Sequence, residues 1–521
     1  MSGVADTGGP LICGVDIGTG SVRAIVHTTD GRPVAAAAEP TPTLRHGPET
    51  ADYDPEALWE TTCAVLRQVT AAVDGAERIA GIACTSVGES QVPIDRDGRP
   101  VHPAIAWYDR RTRPQAERAA ARIDLDRTFA VAGQAMDPIF SAFKRAWIAE
   151  HAPEAHRAAV LWLNVADWIA YRLSGVAATD ASLAGRTMLL DIHSLDWSEE
   201  LAEALEVDLS TCAPIRPSGT PLGPVTRAAA EATGLSPSCI VGVGGHDHVC
   251  GALAVGAFAP GVMLDSMGTA EAVLIGLDEP ITDPAYGAEG YAQGVLIADR
   301  PRRYVVAAQW CSGGSVEWFR GLAGHDVPHA DLIAEAEAVP AGSHGVLFVP
   351  HLRAGTAPHA DTRARGTYLG LHADHGRGVL FRALLEGLAL DVRLMVDHLA
   401  AKAVAPPVRS VRAVGGDTRN GLLVQIKADV FGRPLEVIEE AEVVCLGAAV
   451  LGGRAAGVFD DIDSGVAGLA LSSRELAPDP DRRATYERIF RDVYEGVFAA
   501  VHPLHRRLAG AASPGSDVGG T

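Results

Sequence analysis

The sequence predicts an α/β protein built from two duplicated domains that face a shared cleft. Three observations point there. Residues 11–31, LICGVDIGTGSVRAIVHTTDG, run apolar strand, Gly-rich acidic turn, apolar strand, and about 250 residues downstream GVMLDSMGTAEAVLIG repeats the plan. Strand clusters alternate with helical stripes in both halves, the signature of α/β layering. The remaining Gly-rich turns fall at predicted strand ends.

The elements follow in order. Asp16-Ile17-Gly18-Thr19 and Ser266-Met267-Gly268-Thr269 read as hairpin tips. Such tips offer backbone N–H groups and a hydroxyl, which suits a phosphate oxygen; hairpin geometry alone would also account for Asp and Gly there. Pro33–Pro40 can add a third strand. Asp54-Pro55 opens a helix as N-cap and first residue, and Leu58, Val65, Leu66, Val69 and Val73 give its apolar stripe. Residues 79–85 and 104–107 read as buried strands, residues 113–205 as mostly helical, and 214–224 as a Pro/Gly-rich connection. Residues 240–243 form a short strand that ends at Gly244-Gly245-His246-Asp247-His248, followed by a helix over 249–258. The domain boundary is placed there: a first domain over 11–258, a second over 259–505, and flexible tails over 1–10 and 506–521.

Composition narrows the function. The chain has 521 residues, 47% hydrophobic and 21% charged, within the ordinary range for a soluble globular protein. Its 44 basic and 65 acidic residues leave a net charge of −21. That argues against nucleic acid and against an anionic membrane as partners, since both need a basic footprint. No stretch approaches the roughly 20 apolar residues of a membrane span. The eight cysteines form no C-x-x-C pair and read as buried reduced thiols. Residues 1–10 hold no apolar signal-peptide core, so the expected location is cytoplasmic.

Chemistry concentrates in a few places. Asp16 beside phosphate-binding amides is a natural Mg²⁺ partner. Asp247 stands before a helix N-terminus; it reads either as a cap or as a general base for an attacking hydroxyl. Ser312-Gly313-Gly314-Ser315 and Val414-Gly415-Gly416-Asp417 with Asn420 each open a helix, which suits a nucleotide. There is no G-x-x-x-x-G-K-[ST] phosphate loop and no zinc-like spacing. Glu89, Gln91, Trp107 and Asp109 supply carboxylates and an indole, a wall that suits a polyol.

In this order the motifs resemble the FGGY carbohydrate kinases of the actin/hexokinase/Hsp70 ATPase superfamily. The resemblance rests on DIGTGSVRA, PAIAWYDRRT, FSAFKRAW, DASLAGRTMLLDIHSLDW, GGHDH, SMGT, FVPHLRAGTAPHADTRARGTYLGL and GGDTRNGLLVQIKADVFGRPLEV, and spans about residues 11–500. It implies two ribonuclease-H-like (actin-like ATPase) domains and Mg²⁺-assisted transfer of the ATP γ-phosphoryl to a sugar or polyol hydroxyl. Asp247 would be the base and Asp16 the metal-side carboxylate. Thr19, Gly268 and Thr269 would contact phosphates; Gly313, Gly314, Gly415, Gly416 and Asn420 would line the adenosine side; Glu89, Trp107, Asp109, Asp247 and His248 would form the sugar pocket.

Within the family, glycerol kinases carry Arg-Glu-Thr where this chain has Gly88-Glu89-Ser90. Their pocket tyrosine, glutamine and aromatic correspond to Ile139, His248 and Ala272. Xylulose kinases carry Met-His at Val87-Gly88. A pocket roomier than one built for glycerol is expected, for a four- to six-carbon sugar, ketose or alditol. Glycerol or D-xylulose phosphorylation is the alternative. An Hsp70-type ATPase and a non-catalytic sugar/ATP-binding regulator are the competing classes. A homodimer is compatible with the sequence.

Overall fold

In the computed structural model, which describes residues 8–47, 50–298, 300, 302–324, 326–440 and 442–512, the opening hairpin forms as its alternation predicts. Strand Leu11–Ile17 pairs antiparallel with Ser21–Thr28, which pairs antiparallel with Pro33–Pro40. On its other side Leu11–Ile17 runs parallel to Ile79–Ser86, and that strand runs parallel to Ile240–His246. The third, second, first, fourth and fifth strands thus lie side by side, and Pro221–Pro224 adds an antiparallel edge.

The second half repeats the sheet. Val262–Met267 pairs antiparallel with Glu271–Leu277, and that strand with Arg302–Gln309. Val262–Met267 also runs parallel to Ser410–Val414, and Ser410–Val414 runs parallel to Leu435–Ile438. Order and sense match the first half strand for strand, with Ala292–Leu296 and Ser473–Leu476 added at the two edges. The repeated hairpin predicts this duplication, and the family resemblance implies its ribonuclease-H-like form.

Local chemistry explains the first helix. Asp54 accepts hydrogen bonds from the Glu56 and Ala57 amides at 3.0 and 3.2 Å, satisfying donors that a helix start leaves open. Leu58, Val65, Leu66, Val69 and Val73 of its stripe are buried. Between the fourth and fifth strands the chain inserts residues 87–239. This stretch is less continuously helical than its sequence suggests: short helices such as Ser141–His151 and Val165–Ser174 alternate with strands such as Leu161–Asn164. Part of the 214–224 connection is the edge strand Pro221–Pro224. The final helix, Glu495–Ala512, takes in residues 506–512 that the sequence assigned to a tail; residues 1–7 and 513–521 lie outside the described residues.

After its fifth strand each half sends out a helix, Asp247–Ala254 in the first and Val443–Ala455 in the second. The second helix leaves its own sheet and lies on the first one. A Cβ on Gly14 of the first strand would fall 1.8 Å from the Cys445 carbonyl oxygen, and one on Gly81 of the fourth strand 2.0 Å from the Gly452 oxygen. A Cβ on Gly447 would fall 1.9 Å from the Cys250 oxygen of the partner helix. Backbone meets backbone here, so the division at residue 258 is crossed in space by a helix of the second half. In return Val249 and Leu253 of the first helix pack with Leu264, Leu274 and Tyr304 of the second sheet. A second tie lies at the far edge. Gln293 N–H donates to the Gly133 carbonyl at 2.8 Å, and Arg303 Nε donates to the Ile192 carbonyl at 2.8 Å.

Among the described residues, no helix is long and apolar enough to cross a membrane. All eight cysteines are buried and unpaired.

Gly81→Ala should lower stability by about 3 kcal/mol or more, because its Cβ would collide with backbone that has no rotamer to yield. Gly496→Ala, where an added Cβ meets nothing within 4 Å, should be neutral or stabilising. Thermal melts of the two variants test this; equal melting temperatures would refute the close-packing account.

Candidate active site

The two hairpin tips have the same internal bonding. Gly18 N–H closes its turn onto the Ser21 carbonyl at 3.0 Å, and Gly268 N–H onto the Ala270 carbonyl at 3.1 Å. In each tip the Gly is half-buried and the next two residues, Thr19-Gly20 and Thr269-Ala270, are exposed. The tip carbonyls are tied back. Thr41 donates from Oγ1 to Gly18 O at 2.7 Å and from its amide to Gly20 O at 3.2 Å. Ser312 and Gly314 amides donate to Thr269 O, and the Gly313 amide to Gly268 O, each at 3.0 Å. Repulsive carbonyl dipoles are thereby spent on protein, leaving Thr19 and Thr269 at the exposed tips.

That bonding revises the role expected of Gly313 and Gly314. Their amides hold the second hairpin and are not spare donors for a nucleotide. Gly313 lacks a Cβ because one would sit 2.2 Å from the Asp417 carboxylate. Gly415 has φ +103° and no room for a Cβ, which would fall 2.2 Å from the Met267 oxygen. Asn420 caps helix Gly421–Phe431, its Oδ1 accepting from the Leu423 amide at 3.1 Å. Gly415 therefore sits against the hairpin base, and Gly416 beside it is exposed. Beneath it, fully buried Lys427 donates to Asp265 at 2.7 Å and to Glu271, which also accepts from Ser312 Oγ at 2.8 Å.

The carboxylates come from the first half. Asp16, next to last in the first strand, is buried, with Oδ1 lacking any hydrogen-bond partner. Burial, and then the nearby charge of Asp247, push its pKa up to about 7. Asp247 is the first residue of its helix, not the cap; His246 holds the cap position without a side-chain bond. Burial also raises the Asp247 pKa. Its Oδ1 accepts from the His248 amide at 2.6 Å and lies 3.3 Å from His246 Nε2. Burial keeps His246 neutral, well below its ordinary pKa. His248 stands at the rim, its side chain 67% exposed.

Around Asp247 the structure brings together residues the sequence left apart. Glu89 is buried at φ +56°, a left-handed backbone that a non-glycine residue adopts at a cost of about 1–3 kcal/mol. Its carboxylate accepts from Arg186 Nε at 2.5 Å. The same guanidinium lies 5.2 Å from the Phe140 ring centroid, and it is close enough to Asp247 for the two charges to affect each other's pKa. A Cβ on Gly88 would meet Arg186 Cγ at 2.7 Å. The arginine that position 88 lacks is thus answered by residue 186, and no void is left there. Arg186 lies in the quoted DASLAGRTMLL segment, but nothing in its spacing ties it to Glu89 across a separation of 97 residues.

Trp107 bridges the sugar wall and the phosphate side: its Nε1 donates to Thr19 Oγ1 at 2.8 Å. Asp109, expected to face the pocket, is instead fully buried and spent on structure. It accepts from the Ala51 amide at 2.8 Å and from the Arg111 side chain at 2.6 and 2.9 Å. Lys144, in the FSAFKRAW segment, was not singled out by its sequence. Its buried ammonium donates to the Glu89 and Ala106 carbonyls at 2.8 and 2.9 Å and pins both pocket-wall turns, while burial draws its pKa down to about 7.

Two like carboxylates, one with a buried oxygen that nothing satisfies, fit a divalent cation, whose charge would compensate both. Asp16 is the residue that would hold Mg²⁺ there. Among the described residues there is no group of three or more His, Cys, Asp or Glu side chains placed for a metal, so phosphate oxygens and water would supply the other ligands.

Comparisons with known proteins agree with this geometry. Residues 11–254 match the model of the N-terminal domain of the FGGY family of carbohydrate kinases, and residues 263–456 match that of its C-terminal domain. The chain is 25% identical over 503 residues to a xylulose kinase of Bacillus subtilis, covering 95% of this chain and 98% of that one. It is 33% identical over 456 residues to a glycerol kinase of Gloeobacter violaceus, covering 86% and 89%. The crystal structure of a xylulose kinase from Rhodospirillum rubrum superposes with a TM-score of 0.86 at 27% identity, over 95% of this chain and 100% of that one.

Asp16→Asn removes a buried charge that metal-free protein does not compensate. Its carboxyl is ionised above about pH 7, and the burial cost is then complete. At pH 8 in chelator the variant should melt higher than the parent, yet its turnover with Mg²⁺ and ATP should fall at least about 10-fold, the loss of one charge-assisted contact. A variant that melts lower and turns over normally would remove Asp16 from the metal role.

Proposed function

The chain belongs to the FGGY family of carbohydrate kinases, and we propose that it transfers the γ-phosphoryl group of ATP to one hydroxyl of a four- to six-carbon sugar, ketose or alditol. The observation that carries this reading is the position of Asp247. It is buried, its pKa is raised, and it feels both the Glu89–Arg186 pair and Asp16 on the phosphate side.

A sugar hydroxyl is a weak nucleophile, and a carboxylate made more basic by burial can take its proton as the O–P bond forms. Glu89 can accept from one substrate hydroxyl and Arg186 can donate to another oxygen, while the Trp107 indole offers an apolar face to C–H groups. The exposed tips of the two hairpins, with the Thr19 and Thr269 hydroxyls, hold the phosphates from opposite halves. Mg²⁺ at Asp16 would neutralise phosphate charge. Closure of the two halves would exclude water and suppress ATP hydrolysis. Intact hairpins together with Asp16 and Asp247 favour turnover over a sugar/ATP-binding regulator. ATP as co-substrate and eight buried, unpaired thiols support a cytoplasmic setting.

The choice of sugar rests on Ile139, His248 and Ala272, which replace larger or differently polar groups at the glycerol-kinase positions. Gly88 does not enlarge the pocket, since Arg186 fills its space. Glycerol is the second reading, supported by the 33% identity to a glycerol kinase.

ATP consumption measured against a panel of polyols, ketoses and alditols tests both readings. The best four- to six-carbon substrate should exceed glycerol in kcat/KM by at least about 10-fold, and Asp247→Asn should lower kcat on it by about 10² or more with little change in melting temperature. Glycerol as the best substrate would overturn the size argument. No sugar-stimulated consumption, or near-normal turnover by Asp247→Asn, would overturn the mechanism.

A further inference from the structure

A cavity of about 690 Å³ opens on the second half between the end of helix Arg377–Ala401, the Phe431-Gly432-Arg433 turn and the helical segment over residues 483–495. None of the active-site residues lines it. Four arginines do: Arg393, Arg433, Arg483 and Arg491. In a chain with a net charge of −21, such a convergence calls for an explanation.

The acids present are already spent. Arg393 binds Glu487 at 2.6 Å and Asp397 at 3.2 Å. Arg491 binds Glu495 at 2.5 Å and Glu487 at 3.1 Å. Among the described residues, neither Arg433 nor Arg483 has an ion pair or a side-chain hydrogen bond. Two carbonyls at this helix end already have donors: Gly432 N–H donates to Ala428 O at 2.9 Å and Arg393 to Val430 O at 3.1 Å. Arg483 is nonetheless held in place. Its Nε lies 2.6 Å from where a Cβ on Gly432 would be, so the guanidinium rests directly on the turn. Partial burial, together with the neighbouring Arg393 and Arg483 charges, lowers the Arg433 pKa against the pull of Asp397. Two guanidiniums without a protein partner, Arg433 half-buried and Arg483 exposed, line one cavity and leave their donors to an anion.

We propose that this cavity binds a small phosphate-bearing metabolite through Arg433 and Arg483. Guanidinium forks match the paired oxygens of a phosphate group. The volume is that of a small-molecule site and exceeds what a lone phosphate would fill. The cavity shares helix Gly421–Phe431 with the nucleotide side, where Asn420 caps the helix and Lys427 lies under the second hairpin.

Inorganic pyrophosphate is the probe, titrated calorimetrically at low ionic strength into full-length protein whose catalytic cleft is filled with a non-hydrolysable ATP analogue. The parent should show one saturable site. Arg433→Gln with Arg483→Gln should weaken it by about 10- to 100-fold, the loss of two charge-assisted contacts, with basal turnover unchanged. Arg483→Glu, at an exposed position that folding tolerates, should weaken it at least as much as Arg483→Gln. Absence of saturable binding to the parent, or an affinity equal to the parent's in both the double variant and Arg483→Glu, overturns the proposal.

Discussion

The backbone of helix Val443–Ala455 touches the backbone of the first sheet at glycines, and the placement of the active site depends on that contact. Gly14 and Gly81 on the sheet and Gly447 and Gly452 on the helix leave room for backbone atoms where a Cβ would be. The same first strand carries Asp16 one residue from its end, and the partner helix that Gly447 touches at Cys250 begins with Asp247. A helix of the second half therefore sets the distance between two carboxylates of the first. Where backbone meets backbone no side chain can change rotamer to absorb a shift, so these contacts fix the spacing.

The charged interior follows from the same economy of space. Beneath the second hairpin Lys427 is shared by Asp265 and Glu271, whose pKa burial raises to about 8. Asp16, at the equivalent end of the first sheet, has no buried lysine against it; burial and Asp247 raise its pKa although Arg23 pulls it down. The duplicated domains thus differ in what underlies their hairpins: a buried lysine in the second and an acid in the first.

The fold was largely legible because it is written in local patterns. Both hairpins, the Asp54 cap and the strand ends carry their signals within a few residues. The passage of helix Val443–Ala455 onto the other sheet was not legible: its Gly and Ala residues announce close packing but not against what. Edge strands Pro221–Pro224 and Ala292–Leu296 are short and partly Pro or Gly, so propensity marks them as loop. Asp16, Glu89, Trp107 and Asp247 stood out in the sequence as polar groups at turns, and the structure brings Asp16 and Glu89 near Asp247. Asp109 misled because a carboxylate at a strand end looks the same whether it faces a ligand or, as here, an arginine two residues on. Gly313 and Gly314 misled because amides at a helix start look free until their carbonyl partners on the hairpin are seen. Arg186 and Lys144 escaped because their partners come from distant segments.

The account holds that phosphate passes directly from ATP to the sugar, with Asp247 taking a proton and never carrying phosphate. The stereochemical course at phosphorus tests this most directly, using ATP made chiral at the γ-phosphoryl group with oxygen isotopes. A single in-line displacement predicts inversion of configuration in the phosphorylated sugar. Retention would mean two displacements through a phosphorylated carboxylate, and would contradict the assignment of Asp247 as a base.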